Sequence, residues 1–168
     1  MRRTGSRVDF PFRNIRAANN VDFGRNVHIR KHAWFSLQPE CKVSIGDNTR
    51  IGRYLVLSGA ATEITIENDV LMSERVFITE SNHEFEDVTK PVQAHTVSAG
   101  PVHIGAESWI GIGVCIMPNV RIGKHCVIGA NSTVTRDIPD YCVAAGSPAI
   151  VRKRYDFDRQ QWLGVTES

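Results

Sequence analysis

Residues 104–134 read IGAESWIGIGVCIMPNVRIGKHCVIGANSTV, and this stretch decides the fold. An aliphatic residue returns at every sixth position, usually with glycine directly after it. These aliphatic positions are Ile104, Ile110, Ile116, Ile122, Ile128 and Val134. A helix places apolar residues about three and four positions apart, and an ordinary strand alternates every two. A period of six therefore indicates neither of these elements alone.

The same period occurs earlier in the chain, at Ile45, Ile51 and Leu57 and again at Ile66, Met72 and Ile78. A short strand followed by its own turn can place an inward-facing side chain at every sixth residue. Three such units close a triangular coil of about 18 residues, and successive coils stack roughly 4.8 Å apart. Residues 46–49 and 129–132 contain the Gly, Asn and Asp expected at the corners. A β-sandwich would instead show turn signals about every 8–12 residues, and the unbroken phase disfavours it.

The composition is that of a single domain in a reducing compartment. The chain has 168 residues, and its net charge of +2 gives no electrostatic reason to expect nucleic acid as a partner. No apolar run approaches the roughly 20 residues that span a bilayer, and the N-terminal MRRTGSRVDFPF lacks the apolar segment of a secretory signal. The four cysteines show no CxxC pairing. Free thiols without an export signal predict a cytoplasmic protein.

Several segments resemble a known family, the hexapeptide-repeat acyltransferases. They are Ile104-Gly105, Trp109-Ile110-Gly111, residues 127–130 and residues 144–149, and the similarity extends over roughly residues 43–154. The period alone does not give the hand of the coil, but this resemblance implies a left-handed prism that assembles as a homotrimer. The predicted fold is all-β, a left-handed parallel β-helix of about five coils.

The predicted organisation has three parts. Residues 1–20 form an N-terminal capping segment, in which Val8, Phe10, Phe12 and Ile15 alternate as in a strand. Residues 21–151 form the β-helix domain, which is interrupted by an extended loop at 83–101. Residues 152–168 form a C-terminal tail, in which Asp156 to Leu163 are expected to form a short helix.

The interruption of the repeat predicts the position of the active site. The phase stops at Ile78 and resumes at Val102, and a regular prism gains nothing from an inserted loop of this length. In the family that the chain resembles, an Asn-His step at the start of this loop carries the catalytic base. That resemblance assigns the base to His83, with Asn82 beside it. The surrounding pattern resembles enzymes that acetylate sugars of capsule, exopolysaccharide or lipopolysaccharide, and antibiotic O-acetyltransferases are an alternative.

Acetyl transfer from a thioester requires a hydroxyl that is made nucleophilic near neutral pH. Imidazole has an unperturbed pKa of about 6.5, so His83 is suited to take the proton of the acceptor hydroxyl and then to protonate the departing thiolate. Glu80 and Asp87 are both candidates to hold the other ring nitrogen. The developing oxyanion needs a donor, either Asn82 or a backbone N–H.

The resemblance also implies acetyl-CoA as the co-substrate, with its long arm in a groove between adjacent prisms, and no metal. Nine matching positions belong to this groove: Trp109, Gly111, Gly129, Ala130, Thr135, Arg136, Ala145, Gly146 and Pro148. Arg152 and Lys153 are candidates for binding the CoA phosphates. Ile112 departs from the pattern, since several relatives carry serine there.

Other functions have weaker support in the sequence. A zinc protein similar to the γ-class carbonic anhydrases would need three converging histidines; His28 and His32 are close, but no third histidine has a matching context. A non-catalytic scaffold would not need the intact Asn-His step. Members of the family that take the acyl group from acyl carrier protein generally have a longer helical C-terminal domain. Of the remaining histidines, His95 and His103 flank the exit of the loop and are expected near the acceptor.

Overall fold

A computed structural model describes residues 5–9 and 20–165, which form a three-sided parallel β-solenoid of about six coils, a left-handed β-helix. The first face contains β2 (Val21–Phe23), β5 (Lys42–Ile45), β8 (Glu63–Ile66), β13 (Val102–Ile104) and β16 (Arg121–Ile122). The second face contains β1 (Arg7–Val8), β3 (His28–Ile29), β6 (Arg50–Ile51), β9 (Leu71–Met72), β14 (Trp109–Ile110), β17 (Val127–Ile128) and β19 (Cys142–Ala145), and it continues into β20 (Ile150–Asp156) and β21 (Gln161–Gly164). The third face contains β4 (Trp34–Leu37), β7 (Val56–Gly59), β10 (Phe77–Thr79), β15 (Cys115–Ile116) and β18 (Thr133–Val134). The inserted loop contains β11 (Ser81–His83), a short 3₁₀ turn (Val92–Ala94) and β12 (Val97–Ala99).

The residues of the six-residue period form the core, as the sequence predicts. On the third face, Phe35, Leu57, Ile78 and Ile116 lie in register on neighbouring parallel strands and are fully buried. Each such side chain contributes about 1.5–3 kcal/mol through removal of its apolar surface from water. The prism is therefore stabilised along its whole length by stacked aliphatic columns.

The corners contain the predicted residue types, but with a different division of roles. Asn48 and Asn131 take up the left-handed backbone conformation, with φ of 59° and 57°. Gly46 does not; it is needed because a Cβ there would lie 2.6 Å from the backbone nitrogen of Asn68 in the next coil. The asparagines make the turn, and the glycine allows the coils to stack closely.

The C-terminal segment differs from the expected short helix. β20 adds antiparallel to β19, and β21 pairs antiparallel with β20, so residues 150–164 form a β-hairpin on the second face. Tyr155 and Trp162 face each other across this hairpin, with ring centroids 5.4 Å apart. The hairpin satisfies the hydrogen-bonding groups of the last strand of the sheet, which a helix would leave open. Ile138 and β19 form a last, partial coil, which brings the solenoid to about six coils, close to the expected number of about five.

At the N-terminus, Val8 lies in β1, which pairs in parallel with β3. Phe10, Phe12 and Ile15 lie outside the described residues. Among the residues that are described, no helix has the length and apolar character needed to cross a membrane.

Candidate active site

His83 lies on a β-hairpin that leaves the prism at the corner between the third and first faces. β10 ends at Thr79, and β11 then pairs antiparallel with β12 so that His83 faces Val97. The pairing extends outward through the Glu84 N–H, which donates to the Thr96 carbonyl at 3.0 Å. The side chain of His83 is exposed, but its backbone is fixed by these ladder bonds. The imidazole is thus presented by an ordered element and not by a loose loop.

Glu80 anchors the root of this hairpin and does not orient His83. Its side chain is fully buried, and its carboxylate accepts hydrogen bonds from the backbone N–H groups of Ala60 and Ala61, the latter at 2.8 Å. The Glu80 carbonyl accepts from the Gly100 N–H at 2.8 Å, which closes the hairpin at its base. The expectation that Glu80 holds the second ring nitrogen of His83 is therefore wrong.

Asp87, the other candidate for orienting His83, also has different partners. Its carboxylate accepts hydrogen bonds from the Thr89 N–H at 3.0 Å and from the Thr89 hydroxyl, and it forms an ion pair with Lys90 at 3.5 Å. These hydrogen bonds with Thr89, together with the contact with Lys90, lower the pKa of Asp87. Asp87 stabilises the distal turn of the loop.

A shallow cleft beside His83 contains hydroxyl groups that the sequence analysis missed. Ser36, Ser58 and Thr79 occupy outward positions in register on β4, β7 and β10. They line the cleft together with Asn82 and His83. Ser36 and Ser58 occupy equivalent positions one coil apart, and this spacing could have indicated the cleft. The equivalence becomes apparent only when each strand has been assigned to a face of the prism.

A row of small residues follows the edge between the second and third faces in the C-terminal coils. We call Gly111, Gly129, Ala130, Ala145 and Gly146 the small-residue edge. A Cβ on Gly111 would lie 2.7 Å from the Ile128 carbonyl oxygen, and one on Gly129 would lie 2.9 Å from the Cβ of Ala145. The turn that contains Pro148 closes this edge, since the Ser147 hydroxyl donates to the Thr133 hydroxyl at 3.0 Å. Along this edge Ala130 and Gly146 are exposed, Gly129 and Ala145 are half-buried, and Gly111 is buried.

The remaining residues predicted to bind CoA lie on other parts of the prism. Trp109 is outward on the second face, and its indole N–H donates to the Ser73 hydroxyl at 3.3 Å. Arg152 and Lys153 lie on β20 of the same sheet. Thr135 and Arg136 follow β18 and are exposed at the corner from which the His83 hairpin leaves, two coils farther along.

Apart from Trp109, Arg152 and Lys153 on the second face, the predicted residues fall into two groups on opposite borders of the third face. The small-residue edge precedes β15, whereas the His83 hairpin follows β10, which pairs in parallel with β15. A strand of this length separates the two borders by on the order of 15 Å. Within one protomer the imidazole and the small-residue edge do not form a single site.

The other histidines lie elsewhere. His28 is on the second face, 3.9 Å from a carboxylate oxygen of Asp9, and His32 stacks on Tyr54. His103, on the first face, pairs with Glu67 at 2.8 Å. His95 contacts the Asp87 carbonyl at 3.1 Å. Neither His95 nor His103 lines the cleft beside His83, contrary to the expectation for the loop exit.

Clustered metal ligands and reactive cysteine thiols are two further sources of chemistry in proteins. Within residues 5–9 and 20–165, no cluster of three or more His, Cys, Asp or Glu side chains is placed to hold a metal ion. Burial raises the pKa of the Cys41 thiol to about 12 and that of Cys126 to about 11. Both thiols are protonated at neutral pH and belong to the core.

Known proteins are similar to this chain in sequence and in fold. The family model of the bacterial transferase hexapeptide (six repeats) matches residues 101–136. A Mycobacterium tuberculosis protein named as an acetyltransferase is 34% identical over 133 residues; the match covers 79% of this chain but only 44% of that protein. WbbJ of Escherichia coli K12, named as a lipopolysaccharide biosynthesis O-acetyl transferase, is 30% identical over 159 residues, which cover 88% of this chain and 79% of WbbJ.

Among solved structures, AntD is an N-acyltransferase from Bacillus cereus, crystallised as a mutant with coenzyme A and dTDP-4-amino-4,6-dideoxyglucose. It superposes with a TM-score of 0.78 at 25% identity, covering 88% of this chain and 79% of AntD. The repeat, the solenoid and the extent of the match to WbbJ lead to one conclusion. The chain belongs to the hexapeptide-repeat family of acetyltransferases.

Proposed function

We propose that this protein transfers the acetyl group of acetyl-CoA to a hydroxyl of a sugar, with His83 as the general base. The observation that carries the proposal is the exposed imidazole of His83, held by a paired β-hairpin beside a cleft lined with hydroxyl groups. The name of WbbJ supports a sugar hydroxyl as the acceptor, and the AntD complex supports a CoA donor and a sugar acceptor. A precursor of capsule, exopolysaccharide or lipopolysaccharide fits this chemistry.

In the proposed mechanism, one ring nitrogen of His83 accepts the proton of the acceptor hydroxyl as the oxygen attacks the thioester carbonyl. The imidazolium then gives that proton to the departing CoA thiolate, so no net proton remains on the enzyme. The side-chain amide of Asn82, exposed on the same strand, donates a hydrogen bond to the oxyanion. No protein nucleophile is required, because imidazole is an effective base near neutral pH.

We further propose that the enzyme is a homotrimer whose sites lie between protomers. The His83 hairpin and the small-residue edge lie on opposite borders of the third face, so the hairpin of one protomer would face the edge of its neighbour. The outward residues of the third face include Trp34, Val56 and Phe77 in register, an apolar column suited to burial in such an assembly. Thr135 and Arg136 would then meet the neighbour's edge, which joins the two groups of predicted CoA residues into one groove.

The phosphates of CoA require cations in this groove. Arg136, Arg152 and Lys153 are the proposed partners, because guanidinium and ammonium groups pair well with phosphate. Ile112, exposed at the corner after Gly111, would contact the arm of CoA through apolar surface. The four free thiols and the need for acetyl-CoA fit a cytoplasmic site of action.

The decisive experiment compares the wild type with His83→Ala. Purified enzyme and acetyl-CoA are screened against sugars, nucleotide sugars, glycolipid precursors and antibiotics, and release of free thiol is followed. We expect His83→Ala to bind CoA and remain folded while the rate falls by about 10²–10⁴-fold. Activity near the wild-type rate would remove His83 from the mechanism, and antibiotics as the preferred acceptors would replace the sugar assignment.

A further inference from the structure

A cationic groove lies mainly on the N-terminal half of the second face and ends at Trp109, one of the residues predicted to bind CoA. Its volume is about 500 Å³, within the range of roughly 300–1,000 Å³ that small-molecule sites occupy. Arg30, Arg50 and Arg53 line it, together with His28, Glu74 and Trp109. We call it the arginine groove.

The arginines of this groove have no partner among residues 5–9 and 20–165. Among the described residues, Arg30, Arg50 and Arg53 form no ion pair, and their side chains make no hydrogen bond. The three arginines and Glu74 leave a net charge of +2 when His28 is neutral. Nearby acids have other partners: Asp9 pairs with Arg7 at 2.9 Å, and Asp69, beyond Arg50, accepts from the Asn48 amide at 3.0 Å. Three unpaired guanidinium groups in one groove provide strong donors for an oxyanion.

The floor of the groove changes from cationic to apolar along one column of outward residues. His28, Arg50, Leu71 and Trp109 are in register on adjacent parallel strands. Strands lie about 4.8 Å apart, so Arg50 and Trp109 are separated by roughly 10 Å. Trp109 is 50% exposed, which leaves an aromatic face free to pack against a ligand. The groove therefore offers anion recognition at one end and aromatic packing at the other.

The aromatic end adjoins the small-residue edge. Trp109 is two residues before Gly111, and its indole N–H is held by Ser73, which lines the groove. A ligand whose sugar ring packs over Trp109 would lie beside the small-residue edge, while its anionic end reaches Arg50.

We infer that the arginine groove binds the phosphate groups of a phosphorylated sugar acceptor. The inference rests on the proposed function, because it assigns the acceptor of that transfer. Guanidinium groups bind phosphate oxygens in a bidentate manner, and the charge of a diphosphate or of a phosphate monoester matches the groove's net +2. A single carboxylate would leave one positive charge unmatched. Sugar monophosphates and nucleotide diphosphate sugars share this chemistry.

The test uses a double variant and a matched control. Arg50→Gln/Arg53→Gln removes two of the three charges from the exposed side of the groove. Arg121→Gln is the control, because Arg121–Ile122 repeats the Arg50–Ile51 strand on the first face, where its side chain is also exposed. Binding of UDP, glucose 1-phosphate, UDP-glucose, inorganic phosphate and glucuronate is measured by calorimetry. Saturating CoA is present throughout so that the proposed donor site is filled.

We expect UDP or glucose 1-phosphate to bind the wild type and the Arg121→Gln variant equally, and the double variant at least about tenfold more weakly. If UDP-glucose binds more tightly than glucose 1-phosphate, the acceptor is a nucleotide diphosphate sugar. If glucose 1-phosphate binds more tightly, the acceptor is a sugar monophosphate. Both results support the inference. Equal binding to the wild type and the double variant, or tighter binding of glucuronate than of any phosphate, would overturn it.

Loss of phosphate binding in the double variant without acetyl transfer to any acceptor would refute the proposed function alone. Transfer to neutral sugars with unchanged phosphate binding would refute the groove alone.

Discussion

Glu80 accepts a hydrogen bond from the backbone N–H of Ala61 at 2.8 Å, although its carboxylate is fully buried and lies beside the Cys41 thiol. The contact joins the root of the His83 hairpin to the turn that follows β7 in the coil below. A buried acid in this position fixes the point at which the hairpin leaves the prism.

Replacing Glu80 should therefore lower the stability of the protein. We expect Glu80→Ala to lower the free energy of unfolding by about 2 kcal/mol, because the N–H groups of Ala60 and Ala61 lose their acceptor and a cavity remains. Glu80→Gln keeps an acceptor oxygen in place and should cost less than about 1 kcal/mol. Urea unfolding measures both values. A Glu80→Ala variant as stable as the wild type would show that the anchor is dispensable.

The small-residue edge predicts a steric effect. Gly111→Ala puts a methyl group 2.7 Å from the Ile128 carbonyl oxygen and 2.8 Å from the Ala130 nitrogen, so the coils must separate. We expect a loss of about 1–3 kcal/mol in the free energy of unfolding and weaker CoA binding. Gly164→Ala is the control, since no atom lies within 4 Å of its added Cβ. Equal stability of the two variants would mean that the coils at the small-residue edge can move to accommodate an added methyl group.

The fold was predictable from sequence because the six-residue period reports directly which residues point inward. Ile78 and Ile116 are both marked as inward by the period on their own side of the loop, and in the structure they are neighbours in the core. The C-terminal hairpin was missed because residues 150–164 have no such period. Their structure is set by the open edge of β19, which the sequence does not display.

Glu80 was misassigned for a local reason. Ile78 points inward and Thr79 toward the cleft, so the alternation of a strand places Glu80 inward again. That signal was present in the sequence, but an acidic residue at a loop start was interpreted as a partner for the catalytic base. The division of the predicted CoA residues between two borders of the third face was not predictable, because it depends on which corner each residue occupies.

The Cys41 thiol predicts a dependence of stability on alkaline pH. Burial, and then the Glu80 carboxylate, raise its pKa from 9.0 to about 12. Between these values the thiol ionises in the unfolded chain but not in the folded protein, so stability present below pH 9 is lost as the pH rises. The loss from this group is about 1.4 kcal/mol per pH unit.

The measurement is urea unfolding between pH 8 and pH 10.5 for the wild type and Cys41→Ala. We expect Cys41→Ala to be less stable at pH 8 because of lost packing, with a difference that narrows above pH 9. Val43→Ala, a core variant without a titrating group, should keep a constant difference from the wild type. A constant difference for Cys41→Ala as well would show that the thiol does not ionise differently on folding.

The separation of His83 from the small-residue edge predicts complementation between two inactive variants. His83→Ala lacks the base but keeps the edge. Ala130→Trp keeps the base and fills the groove from an exposed corner position, without disturbing the core. Each variant alone should be folded and inactive.

In mixed trimers, a site is complete wherever an Ala130→Trp protomer supplies the imidazole and a His83→Ala protomer supplies the edge. For equal co-expression and random assembly in a closed ring, about a quarter of the sites have this arrangement. Acetyl transfer near a quarter of the wild-type rate is therefore expected from the co-expressed pair, and none from the two variants purified separately and mixed without exchange. If the co-expressed pair stays inactive while both variants assemble into trimers like those of the wild type, each site must be built within a single protomer.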